Sequence, residues 1–212
     1  MNVTLIRYTP APDELAMEAA AMCTNKHPCE RGMMTALNSG HESILEHASY
    51  TFLVEEVSRV LLAQLTRHRI ASFSVQSQRY VNYEDDFGYV IPPSIEALGE
   101  EHVKNYKQEM EIIHAWYCGW CDVLGREHQE DARFVLPNAA HTKIMFTMNG
   151  RELRHFLALR ECGKAQWEIR DMARKVHDAV KEVAPLTFTN AGPGCARGVC
   201  PETRPCGNPY VS

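Results

Sequence analysis

Between Ala165 and Val183 apolar side chains return at helical spacing. Ala165, Ile169, Met172, Ala173, Val176, Ala179, Val180 and Val183 make one continuous stripe, and Pro185 stops it. A helix apolar along one face has to lay that face on another layer. The rest of the chain supplies the layer. Residues 2–7 and Ser49–Val54 alternate or are rich in β-formers, and Thr142–Met148 is short and apolar, so each predicts a strand. Ala11–Cys23 predicts a helix with Asp13 and Glu14 in its first turn, and Arg31–Leu37 a second that stops at Asn38-Ser39-Gly40. Ser58 is placed to cap a helix carrying Val60, Leu61, Gln64 and Leu65, which delivers Arg67 at its end. Gly88–Pro92 reads as extended, and Pro93–Gly125 as a long helix with a break near Gly119. Asn149, three residues before Glu152, starts a further helix as a capping box. The expected fold class is α+β: a small antiparallel sheet covered by several helices. Residues 1–190 are expected to form a single catalytic domain, and 191–212 a Gly-, Pro- and Cys-rich tail.

The polar residues are not spread evenly over this frame. Arg67-His68-Arg69-Ile-Ala-Ser72-Phe-Ser74-Val-Gln76-Ser77-Gln78-Arg79-Tyr80 concentrates fixed positive charge and hydroxyls within a chain of net charge -5. Arginine offers planar, permanently charged forks to phosphate or carboxylate oxygens, and serine hydroxyls complete the oxygen shell. Ile70, Phe73 and Val75 are too apolar for a merely solvated basic turn. The acidic balance argues against a general nucleic-acid binder, which normally presents a net basic face. No apolar run reaches the length of a membrane span, and the first residues lack the pattern of an export signal, so a cytoplasmic protein is expected.

Eight cysteines in 212 residues raise the question of disulfides or metal. Without an export signal, reduced thiols are the default. Cys118-Gly-Trp-Cys121 has redox spacing but lies in a helical pattern, which favours core packing. Cys195, Cys200 and Cys206 are spaced by five and six, wider than the pairs zinc sites ordinarily use, and lack an evident fourth ligand. No metal site is expected.

Arg67-His68-Arg69, seven residues, Ser77, one residue and Arg79-Tyr80 resemble the signature of the flavin-dependent thymidylate synthases. His41-Glu42-Ser43 with Glu46-His47 resembles that family's upstream segment, and Asp131-Ala-Arg133-Phe-Val-Leu-Pro137 a later one. Asn149-Gly-Arg151 through His155 to Arg160, and Ala165-Gln166-Trp167-Glu168-Ile169, resemble its C-terminal helical pair. The likeness runs from about residue 40 to 187.

The resemblance implies reductive methylation of dUMP to dTMP. Methylenetetrahydrofolate would donate the one-carbon unit and NADPH would reduce FAD, leaving tetrahydrofolate. It implies FAD contacts from His41, Ser43, Arg67, His68, Arg69, Asn149, Gly150, Arg151 and His155. It implies dUMP contacts from Gln64, Leu65, Thr66, Arg67, Val75, Gln76, Ser77, Gln78, Arg79, Arg133 and Arg160. Arg160 would activate the uracil, and a homotetramer would share active sites between chains. The residues themselves agree in part: no Gly-x-Gly-x-x-Gly turn follows a strand, so a dinucleotide would be held by side chains rather than in a Rossmann mode. Many family members carry an acidic residue where this chain has Val75. Pro28-Cys29 and Pro205-Cys206 lack activating neighbours, so no essential protein nucleophile is expected. The competing readings are an RNA-binding patch around Arg67, Arg69, Arg79 and Tyr80, a zinc-stabilised interaction protein, and a flavoenzyme acting on another pyrimidine nucleotide.

Overall fold

Residues 1–198 and 200–208 are described by a computed structural model. Four strands, β1 (Asn2–Tyr8), β2 (Ser49–Ser58), β3 (Ala71–Val75) and β4 (His141–Asn149), form one antiparallel sheet in the order β1-β2-β4-β3. In β4 every second side chain is buried: Thr142, Ile144, Phe146 and Met148. Such alternation fixes which face meets the core. Across the β2–β4 ladder Phe52 stacks on Phe146 at 5.2 Å, and Thr51 Oγ1 lies 2.9 Å from Thr147 Oγ1. Glu55 pairs with Lys143 Nζ at 2.7 Å. At Glu56 the backbone turns left-handed (φ 58°), and burial in β2 shifts from Tyr50, Phe52 and Val54 to Val57. One inserted residue re-aims the strand's end, as a β-bulge does.

By contact density the chain forms two compact units. The first comprises Met1, Val54–Gln64 and Ser74–Ile144; the second Asn2–Leu53, Leu65–Phe73 and Met145–Ser212. The first unit's core is built on α5 (Glu100–Leu124), where Met110, Tyr117 and Cys121 meet Tyr83, Phe87, Ala132 and Ala140. The break expected near Gly119 is absent: it falls at Gly99, which separates α5 from the short α4 (Pro93–Glu96). Gly99 adopts φ 101°, a conformation side chains disfavour, whereas a methyl at Gly119 would meet nothing within 4 Å. An outward glycine within a helix weakens it by only about 1 kcal/mol. α3 (Arg59–Leu65) begins as the sequence predicts, with the Leu61 N–H donating to Ser58 Oγ at 3.1 Å.

The second unit rests on α8 (Trp167–Val183), whose apolar stripe packs on β1 and α7 (Gly150–Arg160). The helix starts at Trp167 rather than Ala165 because the Gln166 side chain accepts from the Glu168 and Ile169 N–H groups. α1 (Pro12–Met22) and α2 (Glu30–Asn38) enclose Ala16 and Met33 with Ile44 and Leu45 of the following 3-10 turn. Asp13 ties α1 to the segment after α8, accepting from the N–H groups of Leu186 and Thr187 at 2.8 Å each. No helix among the described residues is long and apolar enough to cross a membrane. Of the predicted tail 191–212, Val199 and residues 209–212 lie outside the described residues.

Candidate active site

In the second unit α7 carries Gly150, Arg151 and His155 in its first half and Arg160 at its end. Asn149 caps it, its Oδ1 accepting from the Glu152 N–H at 2.8 Å. Gly150 is there because of a close approach: a Cβ would stand 2.9 Å from the Leu45 carbonyl oxygen. The Glu152 side chain is buried and meets His68 Nδ1 at 3.0 Å. On the other side of the ring, Arg160 Nε donates to His68 Nε2 at 3.1 Å. Those two contacts assign the proton. Nε2 accepts, so the neutral ring carries its hydrogen on Nδ1 and donates it to Glu152. Burial pushes His68 below its ordinary imidazole value, and the Arg160 charge adds to this, against the pull of the Glu152 hydrogen bond.

Nitrogens of His68 and His155 and an oxygen of Glu152 lie within 4.8 Å of one another. His68 has no lone pair left for a cation, so the group works as a hydrogen-bond relay ending on Arg160. Arg160 is half-buried, and burial together with the Arg67 charge lowers its pKa. It nevertheless stays protonated, as arginine does in proteins.

His41, Ser43, Arg67, Arg69, Arg151 and His155 are exposed on this unit. Arg151 pairs with Glu46 at 2.5 Å. Arg67 and Arg69 make no hydrogen bond or ion pair among the described residues, and they flank the buried His68. Guanidinium groups such as those of Arg67 and Arg69 are the side chains best suited to phosphate oxygens. Thr66 is exposed, but the Leu65 side chain is wholly buried, so only its backbone is open to a ligand.

The first unit holds the remaining candidates. Glu130 anchors two of them: its carboxylate takes Arg79 Nε at 2.5 Å and its carbonyl takes Arg133 Nε at 2.9 Å. Ser77 Oγ accepts the Arg79 N–H at 3.2 Å, and the Arg79 guanidinium lies 5.6 Å from the centre of the Tyr80 ring. Gln78 is buried, and its Nε2 has no partner among the described residues. A buried donor without an acceptor is costly and invites a ligand oxygen. Val75 ends β3, the Gln76 N–H donates to the Lys143 carbonyl at 2.8 Å, and Gln64 lies in the last turn of α3.

A family model described as thymidylate synthase complementing protein matches residues 4–186. A flavin-dependent thymidylate synthase of Nitratidesulfovibrio vulgaris is 49% identical over 225 residues, covering 95% of this chain and 91% of the relative. The chain belongs to the flavin-dependent thymidylate synthases. The namesake enzyme of Geobacter sulfurreducens is 44% identical over 215 residues, again with 95% and 91% coverage. A crystal structure of the flavin-dependent thymidylate synthase of Helicobacter pylori, complexed with FAD and dUMP, aligns with a TM-score of 0.67 at 25% identity. It covers 91% of this chain and 100% of that one. The family match begins well before residue 40, where the sequence likeness was first traced.

Two residues of this chain carry no signal in the sequence alone. Glu152 was read only as half of a capping box, and its burial against His68 left no local signal. Arg154 is also packed inward. Its Nη1 donates to the Thr187 carbonyl at 2.6 Å and its Nε lies 3.5 Å from Glu42, which fixes the turn between His41 and Ser43.

Proposed function

We propose that the protein methylates dUMP to dTMP with FAD, methylenetetrahydrofolate and NADPH, and that Arg160 polarises the uracil. Family membership together with the Glu152–His68–Arg160 relay carries this reading. FAD, when bound, supplies the electron reservoir that reduced nicotinamide fills and that completion of the methyl group draws on. Its holders would be His41, Ser43, Arg67, Arg69, Arg151 and His155 through their exposed side chains, and Asn149 and Gly150 at the start of α7. His68, spent on Glu152 and Arg160, would serve the site chiefly by orienting Arg160. Ser77, Gln78 and Arg79 would grip the nucleotide phosphate, with Gln64, Leu65, Thr66, Arg67, Val75, Gln76 and Arg133 completing its pocket.

Arg160 cannot act as a base; its part is to stabilise negative charge growing on the uracil ring. Fixing one of its N–H groups on a neutral imidazole keeps the fork aimed before substrate arrives. Glu152→Gln is therefore expected to lower kcat by about 10²-fold, the scale of a misplaced reacting group. Glutamine offers Nδ1–H only a neutral carbonyl oxygen in place of the carboxylate, a weaker acceptor that loosens the ring and with it the Arg160 fork. KM for dUMP and the melting temperature should change little, and a variant with unchanged kcat would remove Glu152 from the relay.

The same reading makes residues 1–190 the catalytic domain of a cytoplasmic homotetramer whose sites are shared between chains. An apolar stripe on α5 supports association: Ile112, Trp116, Trp120 and Val123 are all exposed, Trp116 by 59%. The test of the function is optical. Purified protein given FAD should turn yellow, and dUMP should then shift the flavin bands. Failure to take up FAD at high concentration would end the proposal.

A further inference from the structure

Small side chains line both helices of the α1–α2 pair. Ala20 and Ala21 on α1, and Gly32 and Ala36 one turn apart on α2, border a cavity of about 740 Å³. That is the size of a site for a ligand with several rings. Met17 and Ile44 add to its apolar wall. Toward the connection between the helices and the first turn of α2 the lining becomes cationic, with Lys26, His27 and Arg31. Asp and Glu make up 27 of the 212 residues, yet none of the described residues lining this cavity is acidic. Lys26 and Arg31 are exposed, and their side chains form no hydrogen bond or ion pair among the described residues. Arg31 also stands in the first turn of α2, where the helix dipole disfavours a cation and favours an anion. The lining further includes His41 and Ser43, two of the residues proposed above to hold FAD.

An apolar wall, an acid-free cationic rim and a border shared with the flavin residues describe a ligand with a flat apolar body and an anionic end. We propose that this cavity holds the p-aminobenzoylglutamate tail of methylenetetrahydrofolate, with Lys26 and Arg31 taking its two carboxylates. The assignment rests on the activity proposed above. The benzoyl ring suits the wall of Met17, Ile44 and the alanines. A guanidinium takes a carboxylate as a planar fork, and an ammonium takes one as a point charge. NADPH, the other anionic co-substrate, fits less well. It carries its charge on a pyrophosphate and a further phosphate, more than these two cations balance.

The double reversal Lys26→Glu/Arg31→Glu is expected to weaken tetrahydrofolate binding, read by calorimetry, about tenfold, the scale of one lost hydrogen bond between charged groups. Both positions are exposed, so the fold should persist. Lys181→Glu, the same reversal at an exposed site on α8, should leave binding unchanged. KM for methylenetetrahydrofolate should rise with the weaker binding, while FAD uptake and the KM values for dUMP and NADPH hold. Wild type should bind tetrahydropteroate, which lacks the glutamate, about tenfold more weakly than tetrahydrofolate, and the double variant should bind the two alike. Equal affinity of wild type and double variant for tetrahydrofolate overturns the assignment. A raised KM for NADPH overturns it in favour of the dinucleotide, and lost FAD uptake in favour of the flavin. Protein that takes up FAD and forms dTMP but ignores the reversal strikes this assignment alone. Wild type that binds tetrahydrofolate in this charge-dependent way but takes up no FAD strikes the proposed activity and leaves the cavity assigned.

Discussion

Arg160→Ala is expected to lower kcat for dTMP formation by about 10²- to 10³-fold, the usual loss when one preorganised donor to a developing charge is removed. FAD uptake and thermal stability should be nearly unchanged. The guanidinium is half-buried, and its Nε is fixed on His68 Nε2 at 3.1 Å, so its direction is set by a side chain that is itself buried. Arg160→Lys should not rescue the loss. An ammonium is a compact point charge without a planar fork, and it reaches neither His68 nor the ring edge in the same geometry. Rapid-quench measurement of dTMP at saturating dUMP separates this effect from weaker binding. A variant within threefold of wild type would show that Arg160 serves α7 and not the reaction.

The largest expected effect on stability comes one residue later. Glu161 and His177 are both almost fully buried and meet at 2.9 Å from Glu161 Oε1 to His177 Nδ1, joining the end of α7 to the middle of α8. Removing one partner of such a pair leaves the other desolvated, and typically costs 3–5 kcal/mol, roughly. Glu161→Ala should then lower the melting temperature by about 6–20 °C for a chain of this size. The double variant Glu161→Leu/His177→Leu is the informative control. Replacing both groups by apolar ones of similar size is often close to neutral, so it should recover most of the loss. Calorimetry showing the double variant as unstable as the single one would assign the effect to lost packing alone.

Much of this fold was legible because its signals are local. The α8 stripe, the alternation in β4 and the Asn149 cap each depend on residues within a few positions, and each appears in the structure. β3 was legible but overlooked: Ala71, Phe73 and Val75 turn inward while Ser72 and Ser74 face solvent, a period of two hidden inside a stretch read for its charge. The break at Gly99 was misplaced to Gly119 because sequence shows where glycine occurs, not where the backbone needs one. The polar residues of the site and of the core divide in the same way. Arg67, Arg69 and Arg79 announce themselves by charge. Glu152, Glu161 and His177 sit on helices like any other polar residue, and their meaning comes from partners 84 residues away for Glu152 and 16 apart for the other two.

The placement of tryptophan gives the chain a built-in optical reporter. Trp116 and Trp120 stand 59% and 48% open on α5, and Trp167, at the first turn of α8, is the remaining indole. Indole emission follows the polarity of its surroundings, so the colour of the protein's ultraviolet fluorescence tracks whatever covers α5 without any attached label.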